Sequence, residues 1–350
     1  MPADLRASAP PLRLTLDREA LAGNWRALDR LSGAAKAGAA VKADGYGTGA
    51  RRAVEVLHEA GAADFFVAHW GEAQDILGLV DPAAIAVLHG PQGGEEAAWG
   101  RAVGVRPVIN SLAQAQAWLD AGGGPCHLMV DSGINRLGLP LGALGDELVG
   151  RLEVDILMSH LASAEEDSPL NEVQRGRWDG ARGAVRHRRA SLANSAGIML
   201  GSAYHGDLTR PGLALYGGVP CEGLAAHVRQ VVRPEAALLQ IREIGAGDSV
   251  GYNATFVARE AMRIGVIALG YADGYLRCWS GGTGRARAAG ADLPVLGRVS
   301  MDMTVIDLSA APSLREGDWV EIDYALPEAA LATGLSQYEL LTLLGQRFSR

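Results

Sequence analysis

Residues 39–49 read AAVKADGYGTG, a short apolar run followed by a lysine and a glycine-rich stretch. The run Ala39–Lys42 has the length and composition of a buried β-strand. The glycines that follow it indicate a turn, and the amphipathic stretch Ala50–Ala60 indicates a helix. Strand, turn and helix in this order predict one unit of a parallel βα repeat.

The same alternation extends from residue 13 to about residue 220. Seven further apolar runs are predicted to be strands: Phe65–Ala68, Ile85–His89, Val105–Asn110, His127–Asp131, Val154–His160, Ala190–Asn194 and Leu213–Tyr216. Helix-like segments accompany them, namely Arg18–Leu31, Gly71–Leu79, Leu112–Ala121 and Glu172–Arg188. Eight strands in a βα rhythm over about 200 residues favour a (β/α)8 TIM-type barrel, and a doubly wound sheet is the alternative.

The pattern changes after about residue 225. Apolar runs separated by glycine-rich turns lie at Ala236–Ile244, Ala261–Leu269, Val295–Leu308 and Trp319–Ile322, and a helical period returns only at Ser336–Leu344. Such a series is typical of a mostly β structure. We therefore expect an α/β barrel over residues 13–225 and a mostly β C-terminal domain over residues 226–350, against which residues 1–12 could pack.

The composition restricts the class of protein. The chain has 350 residues, of which 48% are hydrophobic and 21% charged, and these fractions are ordinary for a folded globular protein. No apolar stretch approaches the ~20 residues of a membrane helix, and the N-terminus lacks a signal-peptide pattern. A formal charge of −8 argues against nucleic-acid binding. Three widely spaced cysteines, Cys126, Cys221 and Cys278, fit a cytoplasmic protein better than a disulfide-stabilised one.

Lysine usage singles out one residue. Of the 32 basic residues only Lys36 and Lys42 are lysines. Arginine cannot replace lysine where a free amine or a Schiff base is needed, because the guanidinium pKa is too high. Lys36 lies in a run of small residues and is interpreted as a surface residue. Lys42 ends an apolar run, where the alternatives are a functional amine and an ordinary lysine at a strand end.

Polar residues follow several of the predicted strands. The strand ends carry Lys42, His89, Asn110, Asp131, His160 and Asn194, and Arg210 precedes the predicted eighth strand. In a TIM-type barrel the active site lies at this end, because the βα loops meet there. We therefore expect an active site at the carboxyl ends of the barrel strands.

The common catalytic motifs are absent from the sequence. Gly45–Gly49 does not meet the GxGxxG spacing of a dinucleotide loop, and GxxxxGK[ST], HExxH and GxSxG do not occur. The histidines do not have the spacing of a metal site, so no metal is expected.

Eight motifs in order resemble the alanine racemase family, the pyridoxal-phosphate (PLP) enzymes that combine a TIM barrel with a β domain. The motifs are AVKADGYG at residues 40–47, DSGINRLG at 131–138, SHLA at 159–162, ANSA at 193–196, RPGLALYG at 210–217, VGYNAT at 250–255, GYADGY at 270–275 and GRVSMD at 297–302. The resemblance covers nearly the whole chain. It implies racemisation of L- and D-alanine, which supplies D-alanine for cell-wall synthesis.

The resemblance also assigns roles to individual residues. Lys42 is expected to bind PLP covalently and to exchange the α-proton on one face of the substrate. His160 is expected to pack against the pyridine ring. Arg210 is expected to lie beside the pyridine nitrogen, where a guanidinium disfavours protonation of the ring and makes it a weaker electron acceptor.

The cofactor phosphate needs hydrogen-bond donors. By resemblance these come from the phenols of Tyr46 and Tyr338, the Ser195 hydroxyl and the amides of Gly212 and Leu213. Asn194, in the same motif as Ser195, is counted with the cofactor-binding residues.

A second base is needed on the other face, and the resemblance assigns it to Tyr252, with Arg136 favouring the phenolate. Arg136 and the Met301 amide are expected to meet the substrate carboxylate, and Tyr271 to narrow the entrance. Since Tyr252 lies far from Lys42 in sequence, we expect a homodimer in which one subunit delivers Tyr252 to the other's site. No role is assigned to Asp302.

One position departs from the family pattern. Many members carry a lysine, carbamylated, seven residues before the equivalent of Arg136, whereas this chain has Met129. Three alternatives remain: a racemase of broader specificity on the same scaffold, a non-catalytic PLP carrier and a barrel-fold decarboxylase. The decarboxylases place a carboxylate where Arg210 stands, and a carrier needs no Tyr252.

Overall fold

The computed structural model describes residues 10–350. It divides into two compact units. One is Arg18–Arg229, and the other combines Gln230–Arg350 with residues 10–17. The strand Leu12–Leu16 therefore belongs to the second unit, where it pairs antiparallel with Val232–Ile244. The expectation for residues 1–12 falls partly outside the described residues, because residues 1–9 are not described.

The first unit is a parallel barrel, which confirms the predicted fold class. Its strands are Lys36–Ala37, Ala39–Ala40, Phe65–Val67, Ile85–Val87, Arg106–Ile109, Pro125–Asp131, Glu153–Met158, Arg189–Ser191 and Leu208–Thr209, with a short Leu139–Pro140 beside Pro125–Asp131. Neighbouring strands are parallel and in sequence order, with register pairs such as Phe65↔Ile85 and Ala190↔Leu157. The short segments are apolar on both faces, as parallel strands covered by helices require.

The strand Leu208–Thr209 closes the barrel. It pairs in parallel with Lys36–Ala37. On its other side the amide of Asp207 donates to Ala190 O at 2.8 Å, and the amide of Arg210 donates to Ala193 O at 2.8 Å. The first and last segments of the barrel are therefore joined through backbone hydrogen bonds.

The predicted eighth strand is wrong. Leu213–Tyr216 is a 3-10 helix, and the strand is Leu208–Thr209. The run LALY at 213–216 is short and entirely apolar, and a short apolar run does not separate a buried strand from a buried helix. As a result Arg210 follows the eighth strand directly, and it lies at the carboxyl end with the other candidate residues.

Helices cover the outside of the barrel. They are Arg18–Leu31, Ala50–Ala60, Trp70–Ile76, Gly94–Val103, Leu112–Asp120, Glu147–Gly150 and Pro169–Ala184. Ser111 caps the helix that follows it by accepting from the amide of Gln114, and Ser168 caps the last one through the amide of Leu170. One continuous core packs helix residues such as Trp118 and Trp178 against strand residues such as Leu128.

The second unit is mostly β. Its larger sheet contains Leu12–Leu16, Val232–Ile244, Met262–Ile267, Arg285–Ala288, Ala291–Leu296, Thr304–Asp307 and Trp319–Ile322, and a small pair is formed by Ser249–Val250 and Phe256–Val257. Two helices, Leu326–Thr333 and Gln337–Thr342, follow the last strand. The predicted run Val295–Leu308 is two strands separated by a loop, and this loop carries Met301. Across residues 10–350 no helix has the length and apolarity needed to cross a membrane.

Candidate active site at the carboxyl ends of the barrel strands

Lys42 begins an unusual turn one residue after the strand Ala39–Ala40. Residues 43–46 all have positive φ, at 54° for Ala43, 52° for Asp44, 63° for Gly45 and 55° for Tyr46. The amide of Gly45 donates to Val41 O at 2.8 Å, so the segment is one turn of left-handed helix. Left-handed conformations cost L-residues roughly 1–2 kcal/mol each. Contacts from the rest of the barrel must therefore hold this turn.

The Lys42 amine has a lowered pKa. Burial is the largest cause, and the positive charges of Arg136 and Arg210 lower the pKa further, whereas the Glu72 carboxylate raises it. Lys42 is half-buried, so its amine remains accessible. A lysine of this kind is present as the free amine more often than an ordinary surface lysine and is a better nucleophile and base.

Arg210 is a buried cation held by neutral acceptors. Its Nη2 donates to Ser159 O at 2.5 Å and to Leu192 O at 3.4 Å, and its Nη1 donates to the hydroxyl of Ser191. Burial lowers the pKa of Arg210 to about 10, so the guanidinium keeps its charge at neutral pH. It can donate hydrogen bonds in the site but cannot supply a proton there.

His160 is neutral at physiological pH. Burial lowers its pKa to about 3, and the charges of Arg210, Arg136 and Lys42 add to the effect. The buried Gln174 holds the segment that carries it, since Gln174 Nε2 donates to His160 O at 3.0 Å and its Oε1 accepts from the amide of Ala162 at 2.8 Å. A neutral imidazole beside these cations can pack against an aromatic ring without adding charge.

Ser195, Gly212 and Tyr46 lie together beside the 3-10 helix Leu213–Tyr216. The Ser195 hydroxyl accepts from the amides of Gly212 at 3.0 Å and Ala214 at 3.2 Å, which leaves its own proton to donate. A Cβ at Gly212 would overlap the Tyr46 hydroxyl, so only glycine lets this phenol approach the backbone. Burial raises the pKa of Tyr46 well above its usual value, and the phenol stays a donor.

Other predicted residues have a structural position. Asn194 Oδ1 accepts from the amide of Gly197 at 2.9 Å and shapes the loop beside Ser195. Leu213 is buried at the start of its 3-10 helix. Arg136 is exposed in the loop after the strand Pro125–Asp131, and Met129 is buried within that strand.

Two other strand-end residues make hydrogen bonds that stabilise the backbone near the site. The Asn110 amide donates to Leu88 O at 3.0 Å and Val108 O at 2.8 Å. Asp131 accepts from the amides of Gly133 and Asn135 and so shapes the loop that leads to Arg136.

The four remaining predicted residues lie in the second unit. Tyr252 is 66% exposed and Met301 54% exposed. Tyr271 is half-buried, with the Arg277 guanidinium 5.5 Å from its ring centroid. Tyr338 is half-buried on the helix Gln337–Thr342. All four belong to loops or a helix rather than to the larger sheet.

Arg347 joins the two loops that carry Tyr271 and Met301, and sequence reasoning missed it. Its Nε and Nη2 donate to the two carboxylate oxygens of Asp273 at 2.6 and 2.8 Å, and its Nη1 donates to Asp302 at 2.7 Å. The loops also touch directly, since the amide of Tyr271 donates to Ser300 O at 3.0 Å. Asp302, which the sequence left without a role, thus pairs with Arg347.

Arg347→Ala should destabilise the second unit. Asp273 is fully buried, and it would lose two charge-assisted hydrogen bonds while remaining desolvated. We expect the free energy of unfolding, measured by urea denaturation, to fall by about 2 kcal/mol. Asp302→Asn is the matched control, because Asp302 is about half-exposed and exposed pairs contribute at most about 1 kcal/mol. Equal losses in the two variants would contradict the assignment.

A further cavity lies at the other end of the barrel. It has a volume of about 1080 Å³, and its lining includes Arg106, Pro125, Glu153 and Arg188. The first three of these are the first residues of their strands, so the cavity lies at the amino-terminal ends of the strands, opposite the end that carries Lys42. Within residues 10–350 no group of three or more His, Cys, Asp or Glu side chains could hold a metal ion.

Comparison with known proteins agrees with this arrangement. Residues 16–220 match the alanine racemase N-terminal domain and residues 231–350 match the alanine racemase C-terminal domain. A biosynthetic alanine racemase of Agrobacterium fabrum is 41% identical over 97% of this chain and 93% of its own length. A catabolic alanine racemase of Rhizobium johnstonii is 40% identical over 96% of this chain and 93% of its own.

A solved structure extends the similarity to the fold. The alanine racemase of Bartonella henselae, with covalently bound pyridoxal phosphate, superposes with a TM-score of 0.88 at 33% identity, covering 97% of this chain and 99% of that one. The two domain matches and the full-length relatives point to the same family as the solved structure. The lysine, arginine and histidine at the carboxyl ends of the barrel strands fit that family. This chain therefore belongs to the alanine racemase family.

Proposed function

We propose that this protein interconverts L- and D-alanine with PLP, and that Lys42 and Tyr252 are its two bases. The observation that carries the proposal is the Lys42 amine, whose pKa is lowered by burial and by Arg136 and Arg210 at the carboxyl end of the barrel. The alternatives of a PLP carrier and a decarboxylase do not account for the family relationship over the full chain.

The residues present fit PLP. Lys42 supplies an amine for covalent attachment. The Ser195 hydroxyl has a proton left to donate after accepting from Gly212 and Ala214, and the Tyr46 phenol beside Gly212 is a second donor. An anionic phosphate is the ligand that such a donor set suits. We assign the amides of Gly212 and Leu213, together with Asn194 and Tyr338, to the same phosphate site.

The ring site is defined by Arg210 and His160. We assign Arg210 to the pyridine nitrogen, because its charge is fixed and its acceptors, Ser191 and the carbonyls of Ser159 and Leu192, are neutral. A permanent cation at this atom keeps the nitrogen unprotonated. Neutral His160 supports the face of the ring.

The side chains handle the protons of the reaction. PLP, when bound, supplies the electron-withdrawing group that acidifies the Cα–H bond of the amino acid. Lys42 Nζ removes or returns the α-proton on one face, and the Tyr252 hydroxyl does so on the other. Arg136 and the Met301 amide bind the substrate carboxylate, and Tyr271 limits the size of the entrance.

The proposal includes a homodimer with shared active sites. Tyr252 is 66% exposed, and Met301 and Met303 are 54% and 45% exposed. A Cβ at Gly297 would lie 2.7 Å from Val250 O, so the Tyr252 loop and the loop leading to Met301 touch. Exposed apolar side chains on loops that touch are typical of an interaction surface. We propose that a second copy of the chain covers this surface and receives Tyr252.

Chiral analysis of products tests the function. Incubation with L-alanine should yield D-alanine and approach an equal mixture, and D-alanine should give the same end point. L-serine and a basic amino acid are included as substrates, because comparable rates on them would replace the assignment with a racemase of broad specificity. No inversion of any of the three would overturn the proposal. Supply of D-alanine for cell-wall synthesis is the role that this activity would serve.

A further inference from the structure

The left-handed turn after Lys42 has one backbone amide, that of Ala43, whose hydrogen-bond acceptor must come from outside the turn. Within the turn the amide of Gly45 donates to Val41 O and that of Gly47 to Ala43 O, both at 2.8 Å. The Ala43 amide comes too early in the turn to reach a carbonyl of the same turn, as in the first turn of any helix. Its acceptor is a side chain from elsewhere in the barrel.

That acceptor is Glu72, on the helix Trp70–Ile76. Glu72 Oε1 accepts from the Ala43 amide at 2.7 Å, and Oε2 accepts from the Ala68 amide at 2.6 Å. The side chain is 14% exposed. Ala43 follows Lys42 and Ala68 follows the strand Phe65–Val67. One carboxylate therefore joins the ends of two neighbouring barrel strands.

Glu72 also contributes the negative charge that faces the lysine. The charges that act on the pKa of Lys42 are those of Arg136, Arg210 and Glu72. Lys42 in turn lowers the pKa of the neighbouring His160. His69 Nε2 lies 3.8 Å from Glu72 Oε1 and is the neighbour of the carboxylate itself. Among these groups Glu72 alone raises the pKa of Lys42.

We propose that Glu72 is a positioning residue for the reaction, because it fixes the left-handed turn that presents Lys42 and opposes the positive charges around its amine. Glu72 acts through the Ala43 backbone and the electric field at Lys42, not by touching the substrate. The catalytic part of this inference rests on the proposed function.

The near-absence of lysine makes the proposal measurable without cofactor or turnover. In the full chain stripped of PLP, only Lys36 and Lys42 carry side-chain amines that can be acylated. Lys36 is 80% exposed and lies 3.8 Å from Asp29, so it is an internal reference in the same molecule. Trace acylation across pH, read by mass spectrometry of the two peptides, gives the pKa of each amine.

Glu72→Gln should lower the pKa of Lys42 relative to that of Lys36, because it removes the one charge that raises it. Asp75→Asn is the matched control, since Asp75 is exposed on the same helix. Its substitution removes the same charge but leaves the hydrogen bonds of Glu72 to the Ala43 and Ala68 amides. In the Asp75→Asn variant Lys42 should titrate as in the wild type. An equal Lys42 pKa in the Glu72→Gln and Asp75→Asn variants would overturn the proposal.

Glu72→Asp separates position from charge and serves if Glu72→Gln does not fold. The shorter carboxylate keeps its charge but cannot span Ala43 and Ala68. The Lys42 pKa should therefore stay closer to the wild-type value, whereas kcat for alanine should fall roughly tenfold to hundredfold. An unchanged kcat would overturn the positioning role. If the wild type itself does not racemise alanine, the proposed function fails while the titration still decides whether Glu72 controls the Lys42 amine.

Discussion

Lys42→Ala is expected to abolish racemisation and the visible absorption of bound PLP together. The substitution removes both the amine to which the cofactor attaches and the base on one substrate face. We expect the rate with either enantiomer to fall by at least about 10³-fold. Absorbance spectra of the purified protein and chiral product analysis measure the two effects.

The second lysine provides the control. Lys36→Ala removes an exposed amine that pairs only loosely with Asp29, at 3.8 Å, and should leave both the spectrum and the rate unchanged. Lys42→Arg should be as inactive as Lys42→Ala, because a guanidinium at neutral pH is neither nucleophile nor base. A Lys42→Ala protein that still forms a borohydride-reducible adduct with PLP at the site would show that Lys42 is not the attachment point.

The barrel was predictable because its signal is repeated. Helices with strong periodicity, such as Arg18–Leu31 and Ala50–Ala60, have the predicted bounds. The eighth strand is not predicted correctly, because Leu208–Thr209 is only two residues long. The apolar run Leu213–Tyr216 close to it in sequence is longer and has the composition of a strand. The helices Gly94–Val103 and Leu326–Thr333 were missed, since the first begins with glycine and neither has a strong apolar face.

The candidate site was predictable only in part, and the reason is sequence distance. Lys42, His160 and Arg210 end or follow strands, so the barrel topology alone predicts that they meet. Glu72 binds the Ala43 amide, which is 29 positions away in sequence, and Arg347 binds Asp273, which is 74 positions away. A local sequence pattern does not predict contacts over such separations. The left-handed conformation of Ala43 and Asp44 was also hidden, because neither is a residue type that requires it.

The position of Tyr252 gives the homodimer proposal a physical basis. Asn253 has φ 62° and Ala254 has φ 48°, so the two residues after the tyrosine adopt left-handed conformations that L-residues rarely take. Left-handed conformations of L-residues cost stability and cluster at functional sites. A general base that acts in a second subunit would account for this conformation and for the 66% exposure of Tyr252.

Mixing two inactive variants tests this directly. Lys42→Ala and Tyr252→Phe homodimers should each be nearly inactive, because each site lacks one base. If sites are shared, a heterodimer of the two has one site with both defects and one site assembled from intact residues. Random exchange of equal amounts gives half heterodimers, each with one working site of two, so about a quarter of wild-type activity should return.

The absence of recovery has an equally definite meaning. If Tyr252 acted within its own chain, both sites of every heterodimer would lack one base, and mixing would restore nothing. The variants are denatured, mixed and refolded with PLP, and wild-type protein treated in the same way must regain its activity. Each variant is also refolded alone to give its background activity. This activity has to stay near zero if a quarter of wild-type activity in the mixture is to show complementation. Mass spectrometry establishes that the mixed sample contains heterodimers. If such a sample recovers well below a quarter of wild-type activity, the active site is not shared between subunits. The racemase assignment would be unaffected, because it rests on Lys42 and its barrel.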